Sequence, residues 1–258
     1  MNDNMLIHIP HSSMYIPQEY MRYFQVDLEI IQQNIVQLTD FKTDDLFDHP
    51  AHRNRLVFPI SRLLCDVERF RNDQDEIMTK KGMGVCYTHG ASGEVLHPYS
   101  ESLRAEIINR YYDPHHTQLL AMSKEIIENQ GSCIIVDAHS FPSKPLPYEI
   151  DQDDDRADFC IGTDAIHTPL GLSKAVSKCI EGLGYSVALN KPFSGTIVPL
   201  SMLGGTEKIF SVMIEINRKL YMDESTQTIL PAYDDIKAAV NKILESISTF
   251  FIDHRCIF

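Results

Sequence analysis

No apolar run in this chain approaches the roughly 18 residues that a membrane-crossing helix needs. The opening residues, Met1-Asn2-Asp3-Asn4, carry no basic region and lead into no long apolar segment, so no secretory signal is expected. Positive charge is scarce: 23 Lys and Arg against 36 Asp and Glu leave a net charge of −13. The nearest approach to a basic stripe, His52-Arg53-Asn54-Arg55, is too short to hold a nucleic-acid backbone. Neither nucleic acid nor a membrane is therefore an expected partner. The six cysteines, at 65, 86, 133, 160, 179 and 256, form no Cys-x-x-Cys pair. They suggest neither a zinc finger nor a disulfide framework, and read as small core residues in a reducing, cytoplasmic compartment. His-Glu-x-x-His, the P-loop and Gly-x-Gly-x-x-Gly are also missing, and with them the helix-borne metalloprotease, triphosphate and dinucleotide signatures. Ser12 and Ser140 each stand beside a histidine, but neither sits in a Gly-x-Ser-x-Gly elbow. No repeat, low-complexity tract or domain boundary interrupts the 258 residues, of which 43% are hydrophobic, enough for one domain with a sizeable core.

What is present is organised around Val136-Asp137-Ala138-His139-Ser140-Phe141-Pro142-Ser143. The apolar run Cys133-Ile134-Ile135-Val136 before it is short, β-branched and preceded by Gly131, so it reads as a buried strand. Leu6 to Pro10, Leu56 to Ile60, Leu63 to Cys65, Asp158 to Gly162, Ser186 to Leu189 and Ile209 to Ile216 read as further strands. Helices are expected at 27–38, where Leu28, Ile31, Ile35 and Leu38 recur at helical spacing, and at 43–49, 170–180 and 232–251. A longer helix is expected from Tyr99 to Asn129, with a local break at Pro114. Residues 71–98 read as a long loop, functional or mobile, and 142–156 as a proline-rich then acidic solvated one. The alternation of strands and helices predicts an α/β fold with a mixed, largely parallel sheet and helices on both faces.

Polar residues collect at four strand ends: His11; Arg62 with Asp66 and Arg69; Asp137 with His139; and Glu215 with Asn217 and Arg218. In open α/β sheets that is where ligands collect. Together they fit a catalytic zinc site, which needs nitrogen or oxygen ligands, an open position and a nearby carboxylate base. His11 and His139 are the candidate ligands. Glu215, a charged intruder in an apolar strand, is the candidate general base, with a structural ion pair to Arg218 as its competing role. Asp137 is placed to orient a ligating imidazole. Of the other histidines, His49 and His52 flank Pro50 in what reads as a surface turn and are expected to be solvated. One of His115 and His116 is expected to face the site.

The chain resembles the N-formylglutamate amidohydrolase family from Ile9 to about Asp223. The resemblance is carried by Pro10-His11-Ser12-Ser13, Thr39-Asp40-Phe41 with Leu46-Phe47, and Ser61-Arg62 through Asp66-Val67-Glu68-Arg69. It continues through Pro114-His115-His116, Asp137-Ala138-His139-Ser140, Asp158-Phe159, Gly162-Thr163 and Phe193-Ser194-Gly195 to Ile214-Glu215-Ile216-Asn217-Arg218 and Leu220-Tyr221-Met222. It implies the phosphorylase/hydrolase-like fold of the zinc carboxypeptidases and aspartoacylases, a divalent metal, most simply Zn2+, and a role in amino-acid catabolism. It further implies metal binding by His11 and His139 and base catalysis by Glu215. Arg62 would then polarise the scissile carbonyl and Arg69 hold a substrate carboxylate, with Asp66, Ser140, Arg218 and His116 as further substrate contacts. Two positions depart from the pattern. The fold group's His-x-x-Glu has Met14 as its fourth residue here, so Asp40 is expected as the third ligand, with Glu68 the alternative. Glu68 itself stands where many relatives have Asn, and a carboxylate there would compete with an anionic substrate for Arg69.

The expected activity is metal-dependent hydrolysis of the acyl amide of an acidic N-acyl amino acid such as N-formylglutamate, giving glutamate and formate. The alternatives are a related zinc hydrolase for another N-acyl amino acid or short peptide, and a non-catalytic binding protein on the same fold. The sequence does not assign an oligomeric state.

Overall fold

The computed structural model describes residues 3–205 and 208–253. Cys256 and the Met1-Asn2 start lie outside the described residues. In chain order the elements are β1 (Met5–Ile9), α1 (Gln18–Met21), α2 (Leu28–Leu38), α3 (Thr43–Leu46), β2 (Arg55–Val57), α4 (Glu101–Ile107) and α5 (Asp113–Gln130). There follow β3 (Cys133–Phe141), β4 (Phe159–Gly162), α6 (Leu170–Gly182), β5 (Val187–Leu189), β6 (Ile209–Asn217), β7 (Met222–Asp223), β8 (Thr228–Ile229) and α7 (Tyr233–Asp253). Six strands form one sheet in the order β2-β1-β3-β6-β4-β5. All neighbouring pairs are parallel except β4 with β6. β7 and β8 make a separate small ladder.

The central strands are covered on both faces, which is why they read as continuous apolar runs and not as alternating ones. Ile7, Ile134, Val136, Val212 and Ile214 pack with α6 and α7, and Leu6, Cys133, Ile135 and Ile209 pack with Leu119 and Ile126 of α5. Each such Ile, Leu or Val contributes about 1.5–3 kcal/mol by leaving water. A third apolar cluster joins α2 and α4 to Leu63, Leu64, Cys65 and the segment that follows them.

Several elements differ from the sequence reading. β3 does not stop at Val136: it pairs residue for residue with β6 as far as Phe141 opposite Asn217, so Asp137 and His139 lie within the strand. β2 ends at Val57, two residues before Pro59, which has no N–H to donate. Leu63 to Cys65 form a turn on the Ser61 carbonyl instead of a strand. The second helix stops at Leu46, before Pro50. The long helix breaks upstream of Pro114, through a π-helical turn at Ile108–Tyr112. Pro114 follows directly in α5, so its missing N–H falls where the regular helical ladder is already interrupted by the π turn. Residues 71–98 are not a free loop: Met78, Met83, Val85, Tyr87 and Leu96 are buried in the third cluster. On α2, Leu28 is exposed, and Asn34 is buried in its apolar stripe, accepting from Ala91 N at 2.7 Å. His49 and His52 are buried, not solvated; the His52 ring lies 2.9 Å from Asp3 and 3.2 Å from Ser248 of α7.

Candidate active site

Side chains two residues apart on a strand share a face. On the α5 face of the sheet, Leu6 is followed by His8, Ile135 by Asp137 and then His139, and Met213 by Glu215. That face is apolar at the start of the parallel strands and ionisable at their carboxyl ends. A cavity of about 490 Å³ opens there, with His11, Asp40, Arg62, Arg69, His139 and Glu215 in its wall.

Three of these residues converge. His139 Nδ1 lies 3.0 Å from Asp40 Oδ2, and His11 Nδ1 lies 3.7 Å from the same oxygen. Each imidazole is held from behind by a fully buried carboxylate, His11 Nε2 by Asp66 at 2.9 Å and His139 Nε2 by Asp137 at 3.1 Å. Carboxylates that accept from the far nitrogen of a metal-binding histidine orient the ring in this way. His11 Nδ1 is buried and has no hydrogen-bond partner, as a nitrogen reserved for a cation would be. Asp40 reaches the trio from the connection between α2 and α3, its own N–H bonded to the His11 carbonyl at 2.9 Å. Burial alone would raise the Asp40 carboxyl, but the His11 and His139 imidazoles facing it hold it well below the usual range. Two nitrogens and an ionised carboxylate suit Zn2+ and other divalent transition metals, so the residues fit the expected ion. Met14 is 43% exposed and outside the cavity wall.

Glu215 is buried and its Oε2 has no hydrogen-bond partner. Burial pushes its carboxyl up to about 8, with Asp40 adding to the rise and His139, Arg218 and Arg62 opposing it. A carboxyl that exchanges its proton near neutrality is suited to general acid–base work.

Asp66 lies behind the cavity wall and is fully buried. Besides His11 it binds Arg62 at 2.9 Å, the Tyr87 hydroxyl at 2.6 Å and Arg69 at 3.4 Å. Burial would raise it, but Arg62, His11 and Arg69 hold it well below the usual range. Both arginines thus reach the cavity from one carboxylate anchor. Arg218 donates to Asp40 at 3.1 Å and to Ser140 Oγ at 3.2 Å, so its partner is Asp40 and not Glu215. His116 donates to the Val67 carbonyl at 2.9 Å and lines the cavity; His115, of the adjacent pair, turns to His8 instead. Glu68 faces His139 Nε2 at 3.3 Å and His8 Nδ1 at 3.4 Å, away from the Asp40 side of His139. Its ion-pair contacts are to these imidazoles and not to Arg69.

Sequence reasoning missed His8, Tyr87 and Tyr148, the last of which lines the cavity. His8 had a signal, because a lone imidazole inside an apolar strand needs a buried partner. Tyr87 and Tyr148 sit in irregular segments with no periodicity to point them inward.

An imidazole–carboxylate trio beside a buried glutamate and two anchored arginines is an arrangement that could serve amide hydrolysis. It stands in the crevice where α/β enzymes work, and the protein so defined is an amidohydrolase. The chain belongs to the N-formylglutamate amidohydrolase family, whose sequence model matches residues 3–222. Among solved structures it is similar to N-formylglutamate amidohydrolase from Ralstonia eutropha JMP134, with 21% identity, 95% of this chain and 92% of that chain covered, and a TM-score of 0.78. A gene product from Agrobacterium tumefaciens shows 18% identity, coverage of 96% and 92%, and a TM-score of 0.70. At these identities the likeness is one of fold. No curated protein sequence matches significantly.

Proposed function

We propose that this protein hydrolyses the acyl amide of an acidic N-acyl amino acid, N-formylglutamate being the simplest, with a divalent metal held by His11, Asp40 and His139. The observation that carries the reading is the buried, unpartnered His11 Nδ1 facing Asp40, with the buried Glu215 carboxyl, its Oε2 also unpartnered, in the same cavity wall. A divalent ion, Zn2+ in the first instance, supplies Lewis acidity there when bound. Glu215 takes the proton from the attacking water and returns it to the leaving amine. Arg62 stabilises the developing oxyanion, since its guanidinium stays charged throughout. Arg69 holds the substrate carboxylate. Asp66 and Asp137 keep His11 and His139 in the ligating tautomer.

A second reading, hydrolysis of an N-acyl amino acid with a larger apolar group, is favoured by the cavity mouth. Phe70, Ile77, Ile150, Leu200 and Leu203 line it and are all exposed, more apolar wall than a formyl group requires. The described cysteines are free, which supports a reducing, cytoplasmic setting. No described helix is long and apolar enough to cross a membrane.

The test is steady-state hydrolysis of N-formyl-, N-acetyl- and N-benzoylglutamate by zinc-loaded, chelator-stripped and Glu215→Gln protein. Loss of turnover on stripping, recovery with zinc, and a fall of about 10²–10⁴-fold in kcat for Glu215→Gln are expected. Full turnover by stripped protein, or by the Glu215→Gln variant, would overturn the mechanism.

A further inference from the structure

Behind the trio lies a second group of ligand-type atoms. His8 on β1 and Asp137 on β3 are register partners, and His8 Nδ1 lies 2.9 Å from Asp137 Oδ1. Glu68, from the turn after Asp66, closes the group with Oε1 at 3.4 Å from His8 Nδ1. Together, His8, Glu68 and Asp137 offer one ligand atom each within 4.8 Å of one another. His139 Nε2 borders the same two carboxylates, at 3.1 Å from Asp137 and 3.3 Å from Glu68. Ligand atoms around a four-coordinate zinc ion, each about 2.0–2.2 Å from it, stand roughly 3.3–3.6 Å apart. The His8–Glu68 edge, at 3.4 Å, has that spacing, and the His8–Asp137 edge, at 2.9 Å, would open by a few tenths of an ångström to take an ion.

Two further observations point to a cation. Asp137 is fully buried and its Oδ2 has no hydrogen-bond partner; Glu68 Oε1, also buried, has none either. Next, the permanent positive charges are committed elsewhere: Arg62 and Arg69 to Asp66, Arg218 to Asp40. Among the described residues, the ion-pair contacts of Asp137 and Glu68 are to imidazoles only. A fully buried carboxylate beside a partly buried one, without a Lys or Arg, is costly unless a cation joins them. His8 is already braced for the role, because its Nε2 lies 2.8 Å from His115 Nε2. When His8 donates that hydrogen bond, its neutral Nδ1 turns a lone pair toward both carboxylates, an arrangement that a metal ion or a proton on Nδ1 makes favourable.

We propose that His8, Glu68 and Asp137 form a second site for a divalent transition-metal ion, next to the first and separated from it by the His139 ring. This rests on the reading above and deepens it, since His139 stands between the two groups. With the ion bound, the charge of Glu68 is neutralised beside Arg69, and Arg69 stays available to a substrate carboxylate.

The experiment is metal content. Stripped full-length protein is reloaded with Zn2+, passed through gel filtration and measured by plasma mass spectrometry. About two ions per chain are expected for the wild type, and about one each for His8→Gln, Glu68→Gln and Asp40→Asn, a donor set of this kind being needed at each site. One ion that survives in His8→Gln but is lost in Asp40→Asn would overturn the second site and leave the first intact. No ion in any protein would overturn both. Because His8→Gln is a core substitution, anomalous scattering at the zinc edge on the wild type gives an independent answer. A peak among His8, Glu68 and Asp137 supports the site, and a second ion located anywhere else overturns it.

Discussion

His139 and Glu215 are register partners on the adjacent parallel strands β3 and β6. A candidate metal-binding imidazole and a candidate general base are therefore set side by side by backbone hydrogen bonds, not by flexible loops. The pairing also sets their electrostatics. His139 draws the Glu215 carboxyl down and burial drives it up, and burial prevails. Burial would also discharge His139, but Asp137 and Glu68 hold its pKa well above the usual value.

Arg69→Gln is expected to raise KM for an acidic substrate by about 10–100-fold, the worth of one charge-assisted hydrogen bond of roughly 1.5–3 kcal/mol, with a much smaller change in kcat. Steady-state kinetics on N-formylglutamate and on its side-chain amide check it. An equal loss on both substrates would show that Arg69 does not read the carboxylate.

Asp66→Asn leaves two partly buried guanidiniums without their fully buried counter-charge and His11 without its brace. A loss of about 3–5 kcal/mol is expected in urea unfolding, as for other broken buried ion pairs. A loss below about 1 kcal/mol, the range of exposed pairs, would contradict the anchoring role.

His97 gives a pH dependence away from the site. Its ring packs on Phe24 and Tyr99, and neither ring nitrogen makes a hydrogen bond of good geometry. Burial lowers its pKa from 6.5 to about 4. Above about 6.5 the ring is neutral folded and unfolded, and the full stability is present; as pH falls toward 4 the unfolded chain takes a proton that the folded one refuses, and stability is lost. Thermal melts from pH 7.5 to 4.5 should therefore fall more steeply for the wild type than for His97→Phe. Parallel curves would refute this.

Gly162 ends β4 against the cavity wall. A Cβ there would meet the Gly195 carbonyl oxygen and the Met213 side chain, each at 2.3 Å. Gly162→Ala is expected to cost about 1–3 kcal/mol, the usual cost of overpacking. An unchanged melting temperature would show that the Gly195 turn can retreat.

Much of this was legible before the structure. Strand and helix placement followed from runs such as Ile134 to Val136 and from the Ile31, Ile35, Leu38 stripe, because burial of one face imposes a period on the chain. His11, His139 and Glu215 stood out as polar residues at the ends of apolar strands. Asp40 emerged by resemblance, since nothing in the α2–α3 connection marks its carboxylate as facing His139, 99 residues away. Residues 71–98 misled, because burying Met83, Val85 and Tyr87 through irregular backbone leaves no periodic trace.

The sequence by itself determined the class of fold, the family and the cast of ionisable residues, because periodicity, composition and motif order are local properties of the chain. Only the tertiary structure decided who faces whom. Sheet register put His139 opposite Glu215 and His8 opposite Asp137, and the fold of the Ser61–Arg69 stretch turned Glu68 toward two imidazoles instead of Arg69. Those pairings join residues dozens of positions apart. They are set by which strands lie adjacent and in what register, and that is a property of the whole packed core, not of any one stretch.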